Sequence, residues 1–296
     1  MRILITACCD FTDAEVTAGC LLKKGHDVLL EGRESGSAVF RDFHPDVVVC
    51  YGLVKAAYHD FPVVQVISRA DVAFFHRRTD LFVFSGESAV PGGFQDRAVV
   101  IPLPVDTEMF CPAAQSRGKI IFAMGRLDPV KGHKTLVQAM TLVNPGFRAV
   151  IAGREDLYTV KKMRDYAESL GVENRAEFAG EVEDVIPFLR RAAVGVVASL
   201  GNQEASRTGM EIMASGVPLL AAATGGLCDL VTDGVTGLLH SPGNWRQLAG
   251  QINHLLENRG LAAILAENAR EYCEKHLSYD SVGERWTEVL EQLGFG

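Results

Sequence analysis

Short apolar runs alternate with amphipathic stretches along all 296 residues. In the first third the apolar runs are Arg2–Thr6, Asp27–Leu30, Asp46–Cys50, Val63–Ile67, Leu81–Phe84 and Val99–Ile101. They read as continuous Val, Ile and Leu and not as apolar-polar alternation, so both faces of each predicted strand are covered. That is the pattern of a parallel sheet with helices on both sides. Ala14–Lys24 carries a helical pattern between the first two strands, and Gly25 sits where a helix end favours a left-handed residue. A composition break follows: Pro102, Pro104 and Pro112, then the small and polar stretch Ala113–Gly118. This stretch reads as an interdomain linker.

A second series begins at the predicted strand Ile120–Met124 and continues with a helix near Lys134–Leu142 and a strand Ala149–Ala152. A helix near Leu157–Leu170, a strand Val194–Ala198 and a helix near Ser206–Ser215 follow, the last stopped by Gly216 and Pro218. Strands Leu219–Ala221 and Leu238–His240 complete the sheet, and helical patterns near Trp245–Glu257, Leu261–His276 and Tyr279–Leu293 follow. The expected fold class is therefore α/β, with two Rossmann-like parallel-sheet domains facing each other across a crevice at the carboxyl ends of their strands. The first domain is read over residues 1–112, the linker over 113–118 and the second domain over 119–276. Residues 277–296 are expected to form a helix crossing back to the first domain.

Composition narrows the function classes. The net charge of −8 argues against broad nucleic-acid binding, which needs a basic face, though it allows a local cationic pocket. Seven cysteines, odd in number and never spaced C-x-x-C, fit buried thiols in a cytoplasmic protein better than disulfides or zinc. No window approaches the run of roughly 20 apolar residues that spans a bilayer. There is no Walker loop, no G-x-G-x-x-G after a strand, no G-x-S-x-G elbow and no D-x-D pair. The eight histidines never stand at i, i+4. No metal site and no cofactor are expected.

Three segments carry candidate chemistry. In IIFAMGRLDPVKGHK a strand ends at Gly125, and Arg126 and Lys131 flank a turn that opens into a helix. Two cations beside a helix amino terminus form a small anion site; the alternative is a solvated basic loop. In SLGNQEASRTGMEIMASG, Gly209 costs about 1 kcal/mol in a helix relative to Ala, which suggests a close approach to the backbone. Glu211 stands among Met210, Ile212 and Met213 and needs a partner. That partner is either Arg207 one turn earlier or the hydroxyl pair of a cis-diol such as ribose. In VIAGRED, Gly153 follows a strand and permits close approach of a planar group.

Together and in this order, the three segments resemble the retaining glycosyltransferases of family 4, which adopt the GT-B fold. GRLDPVKG is similar to the family's G-R-L-x-x-x-K-G, and AEFAGEVEDVIPFLRRAAVGVVAS to its F-x-G segment and the strand before the donor loop. EIMASGVPLLAAATGGLCDLVTDGVTGLL resembles E-A-M-A-x-G-x-P-V-V-A, the glycine turn and D-G-x-x-G-x-L. VIPLPVDTEMFCP is similar to V-I-P-N-G-V-D-T-x-x-F-x-P, with Leu103 and Pro104 replacing Asn-Gly.

The resemblance implies that Gly125, Arg126 and Lys131 hold a donor diphosphate, that Glu211 binds the ribose hydroxyls, and that Gly153 and Arg154 lie near the base. The backbone around Ser206, Arg207 and Thr208 would meet the phosphate and the sugar. The family's E-x7-E spacing counts back from Glu211 to Gln203, while Glu204 lies one position later. Either Gln203 or, with a loop one residue shorter, Glu204 takes the sugar-contacting place. The first half departs further: ACCDFTDAE replaces the glycine-rich loop, and Tyr51 and Ser68 stand near the places of the family's histidines.

The activity so implied is metal-independent transfer of a hexosyl or heptosyl unit, with retention, from a nucleotide-diphosphate sugar to an acceptor hydroxyl. The acceptor would be a glycan or lipid-linked molecule in cell-surface polysaccharide or lipopolysaccharide synthesis. The rival is a nucleotide-sugar-binding or scaffold protein with impaired catalysis. A cytoplasmic location is expected. Lys23–Lys24 and His76–Arg78, the clusters through which a peripheral contact with the inner face of the membrane would form, are too few cations to establish one.

Overall fold

A computed structural model describes residues 1–7, 11–31, 43–51, 62–67, 79–87, 90, 95–113, 118–201 and 206–292. The chain divides into two compact units, Met1–Pro104 with His276–Gly296, and Val105–Lys275. The division falls earlier than the Pro112–Ala113 boundary read from composition. Arg270 shows why: its Nη1 donates to the carbonyl of Phe110 at 2.6 Å and to that of Ala214 at 2.7 Å, tying the Pro-rich segment to the second unit.

The first unit holds a six-stranded parallel sheet of order β2-β1-β3-β4-β5-β6. Its strands are β1 (Arg2–Ala7), β2 (Asp27–Glu31), β3 (Val47–Tyr51), β4 (Val63–Ile67), β5 (Leu81–Phe84) and β6 (Ala98–Val100). Strands β3 and β4 are buried at every position, as their unbroken apolar runs require. Helix α1 (Phe11–Lys23) lays Ala14, Ala18 and Leu21 on one face, against Ile3, Ile5 and Val49. The last helix of the chain (Tyr279–Gln292) seals the same cluster with Val282, Trp286 and Leu290. Lys24 Nζ meets Glu284 at 2.9 Å, and a Cβ on Gly283 would stand 3.0 Å from the Cys20 carbonyl, so the two helices run very close. The Tyr51 hydroxyl shares a buried hydrogen bond with Thr17 of α1. Tyr51 is thus built into the packing of this unit.

The second unit holds a six-stranded parallel sheet of order β12-β11-β10-β7-β8-β9. The strands are β7 (Ile120–Met124), β8 (Arg148–Ala152), β9 (Ala176–Gly180), β10 (Ala192–Val197), β11 (Leu219–Ala222) and β12 (Leu238–His240). The helices of this unit, in chain order after α1, are α2 (His133–Ala139), α3 (Val160–Ser169), α4 (Ile186–Arg191), α5 (Arg207–Ala214), α6 (Gly226–Leu230), α7 (Trp245–Glu257) and α8 (Arg259–Tyr272). The last helix of the first unit is then α9. Strand β9 and helices α4 and α6 were not anticipated from periodicity. β9 is an edge strand, so only its alternate residues Ala176 and Phe178 are buried, and it lacks the solid apolar run of its neighbours.

Helix boundaries follow local chemistry. Thr159 Oγ1 accepts from the Lys162 amide at 3.2 Å and caps α3, which starts at Val160, three residues past the predicted Leu157. α8 stops at Tyr272, where the chain passes into a π turn over Cys273–Leu277. Arg175 closes the region after α2 by donating to the carbonyls of Met140, Val143, Asn144 and Phe147. The five cysteines among the described residues are free thiols; Cys20, Cys50 and Cys273 are buried, whereas Cys228 is exposed. Burial pushes the Cys20 and Cys273 thiols up to about 12. No helix among the described residues is long and apolar enough to cross a membrane.

Candidate active site

In the second sheet, strand order reverses between β7 and β10, which are neighbours although two strands, β8 and β9, lie between them in the chain. A parallel sheet opens a crevice at the carboxyl ends of the strands at such a switch point. A cavity lies there, with Lys131, His133, Ser199, Ser206 and Thr208 among its lining residues. The first two come from the loop after β7, and the others from the end of β10 and the start of α5. The fold thus brings together the first two sequence segments, some 70 residues apart.

Glycine geometry fixes the β7 loop. Gly125 leaves the strand at φ 145°, its amide bonded to the Ala152 carbonyl at 2.9 Å. A Cβ on Gly153 would stand 1.9 Å from the Gly125 carbonyl oxygen, so the two strand ends pass at backbone contact. Gly153 is therefore required by the protein itself, independently of any planar ligand. Asp128 then caps a 3-10 turn over Pro129–Lys131, accepting from the Val130 amide at 2.8 Å. Gly132 closes that turn at φ 68°, with the Ala198 carbonyl 1.7 Å from where a Cβ would be.

This loop holds two neighbouring cations. Burial lowers the Lys131 pKa, and the neighbouring Arg126 guanidinium lowers it further. An anion between the two cations would relieve both costs. Arg126 is not among the residues that line the cavity; its guanidinium pairs with Asp156 from the loop after β8, with Asp128 4.0 Å away. Arg154 is exposed, and its carbonyl accepts from the Leu127 amide at 2.9 Å.

His133, in the GRLDPVKGHK segment, is a further member of the site. It is 4% exposed, and its Nε2 lies 3.1 Å from both the Gly125 and the Arg126 carbonyl oxygens. A nitrogen between two acceptors carries the proton, which fixes the tautomer. Burial chiefly holds the ring pKa below its ordinary value, with Lys131 acting in the same direction. A neutral His133 thus pins the peptide from which Arg126 projects. Its position directly after Lys131-Gly132, at a helix start, is the sequence signal that marks it.

On the other wall, the Ser206 side chain caps α5, its Oγ accepting from the Gly209 amide at 3.1 Å. The first-turn amides of Arg207 and Thr208 have no intrahelical acceptor and carry the positive end of the helix. The approach expected at Gly209 is internal: a Cβ there would meet Leu230 Cδ2 at 2.8 Å and Ser206 Oγ at 3.2 Å. Glu211 lies one turn along α5, outside the lining of this cavity. Burial raises its pKa to about 7, outweighing the lowering effect of Arg207. The intrahelical neighbour therefore does not neutralise it. Gln203 and Glu204, like Ser68 and His76–Arg78, lie outside the described residues. Among those described, no group of three or more His, Cys, Asp or Glu is placed to hold a metal ion.

The chain is similar to several known proteins. A family model described as glycosyl transferases group 1 matches residues 105–272. The D-inositol 3-phosphate glycosyltransferase of Acidothermus cellulolyticus is 32% identical over 203 residues, covering 60% of this chain and 44% of that protein. The lipopolysaccharide core biosynthesis glycosyltransferase LpsE of Rhizobium meliloti is 26% identical, covering 58% and 49%. The chain spans about half the length of these curated relatives. Among solved structures, Anabaena Alr3699/HepE in complex with UDP matches with a TM-score of 0.84 at 18% identity, over 99% of this chain and 100% of that one. Sucrose-phosphate synthase from Thermosynechococcus elongatus matches at 0.79 and 17% identity, over 99% of each chain. The two parallel sheets and these likenesses give the α/β fold of GT-B type. A matched segment that covers more than half of the chain, and contains both walls of the β7–β10 cavity, places the protein in the family of glycosyl transferases group 1.

Proposed function

We propose that this protein transfers a hexosyl or heptosyl unit from a nucleotide-diphosphate sugar to an acceptor hydroxyl, with retention and without a metal. The observation that carries the reading is the cavity at the β7–β10 switch point, where Lys131 faces the amino terminus of α5. In this reading Lys131, the first-turn backbone amides of α5 at Arg207 and Thr208, and Arg126 receive the donor diphosphate. Arg126 exchanges Asp156 for the phosphate. Glu211 takes the ribose hydroxyls, whose two O–H donors relieve its buried charge, and the base lies by Gly153 and Arg154. Gln203 or Glu204 meets the sugar.

The bond from the anomeric carbon to the diphosphate oxygen breaks, and a bond to the acceptor oxygen forms on the same face of the sugar. The acceptor proton passes to the departing diphosphate. Fixed cations and amides stabilise the negative charge that develops there, which is worth about 10²–10³ in rate per donor in comparable sites. Two cations supply the countercharge in place of a metal. LpsE suggests a surface-glycan acceptor such as a lipopolysaccharide core, and the UDP-bound structures make UDP-glucose the first donor to try.

The test screens nucleotide sugars by thermal shift and then measures transfer, with and without a chelator. A donor at 100 times its Kd stabilises by about 2.7 kcal/mol. Lys131→Ala should keep the fold and lose at least ~10²-fold in transfer. Wild-type turnover in that variant removes Lys131 from the mechanism. Binding without nucleotide release in the unaltered protein identifies a binding or scaffold role, and chelator-sensitive turnover refutes metal independence.

A further inference from the structure

The second unit has another cavity, at the opposite ends of the same strands. It has a volume of about 290 Å³ and lies where the chain enters β7, β8, β10 and β11. Phe147, Pro218, Leu255 and Leu256 give it an apolar floor, and Ala262 and Ala263 leave room at the first turn of α8. At ~30 Å³ per heavy atom, the share of one water in the liquid, it has room for roughly ten atoms. β7 separates it from the Lys131 loop by five residues, about 16 Å at ~3.3 Å per residue. It is thus a site distinct from the proposed donor cavity, and nothing about it depends on that function.

Its charge is one-sided. Among the described residues, Lys119 and Arg259 are the only charged ones in the lining, and both are exposed. Neither side chain makes an ion pair or a hydrogen bond among the described residues. Among the described residues no carboxylate lines the cavity, in a chain with 37 acidic residues against 29 basic ones. Burying an acyl chain of this size on an apolar floor is favourable in proportion to the area removed from water. An anionic head held at the mouth by two cations fixes the direction of entry.

We propose that this cavity binds an amphipathic monocarboxylate of medium chain length, its tail against Phe147 and Leu255 and its carboxylate between Lys119 and Arg259. The probe is octanoate, titrated into the full chain by calorimetry, with octylamine and octanol as tail-matched controls and UDP as a competitor. Octanoate should bind at least tenfold more tightly than octylamine, and should do so equally with UDP present. Arg259→Glu, an exposed substitution, should weaken octanoate at least tenfold. Ala263→Phe, which fills the mouth from an exposed position, should abolish binding while leaving the melting temperature unchanged. Failure of octanoate to bind, equal binding of octylamine, survival of binding in both variants, or displacement by UDP would each overturn the assignment. Loss of UDP binding in a Lys131 variant with octanoate binding intact would show the two sites to be independent.

Discussion

Replacing Glu211 by Gln tests the physical state of the site without assuming a substrate. Burial raises this carboxyl from 4.5 to about 7, against the pull of Arg207. An acid whose pKa is higher in the folded than in the unfolded chain stabilises the fold only while it stays protonated. Its contribution is complete below pH 4.5, falls as pH rises towards 7, and becomes a constant penalty above that. One pKa unit corresponds to 1.36 kcal/mol. Between pH 5 and pH 8 the penalty therefore grows by roughly 2–3 kcal/mol, an upper value because α5 leaves the carboxyl partly accessible.

Glu211→Gln keeps the shape of the protonated acid and cannot ionise. It should match the wild type within about 1 kcal/mol at pH 5 and exceed it by roughly 2–3 kcal/mol at pH 8. Urea denaturation of both proteins at the two pH values reads this directly. Identical pH dependence in the two proteins refutes a raised Glu211 pKa. The same variant tests the ribose assignment. Two hydroxyl donors would lower the pKa of Glu211, so UDP binding near pH 6.5 should release a proton, seen as buffer-dependent heats in calorimetry. The variant should bind UDP weakly and release none.

Gly132→Ala would place a Cβ 1.7 Å from the Ala198 carbonyl oxygen at φ 68°. It should cost about 3 kcal/mol or more in urea denaturation, and a loss under 1 kcal/mol would contradict the close crossing. Arg175→Met removes donors from four carbonyls and should cost about 2–4 kcal/mol. Arg148→Met, which breaks only a half-exposed pair with Glu177, should stay within about 1 kcal/mol. Equal losses in the two would invert that ranking. His133→Leu strips the Gly125 carbonyl of its side-chain donor and should cost about 1–3 kcal/mol. UDP affinity should fall with it, and His133→Gln, which keeps an N–H, should recover part of both. Unchanged UDP binding in the Leu variant would remove His133 from any positioning role.

Much of this arrangement was legible from residue order alone, for reasons that differ between elements. β3 and β4 are buried on both faces, so composition shows them directly. β9 has one covered edge and alternates, which made a short segment such as AEFAG indistinct. Lys131 and Ser206–Thr208 stand beside strand and helix ends, where local pattern locates them. The hold of Asp156 on Arg126 and of His133 on two carbonyls depends on chain segments meeting in space, and residue order carries little trace of that. Gly153 and Gly209 looked like openings for a ligand. Each is filled by the protein's own atoms, since a missing side chain admits a neighbour as readily as a guest.

The pairing of α1 with α9 has a consequence for biosynthesis. The apolar stripe Ala14–Ala18–Leu21 leaves the ribosome before Val282, Trp286 and Leu290, which cover it and come on the order of 250 residues later. At ~5–20 residues per second that is an interval of roughly 10–50 s. During it the whole Val105–Lys275 unit is made, while the first sheet still lacks the helix that covers part of one face. The earlier-made sheet is therefore the later one to mature, and the interval before α9 arrives is when a chaperone has most to protect.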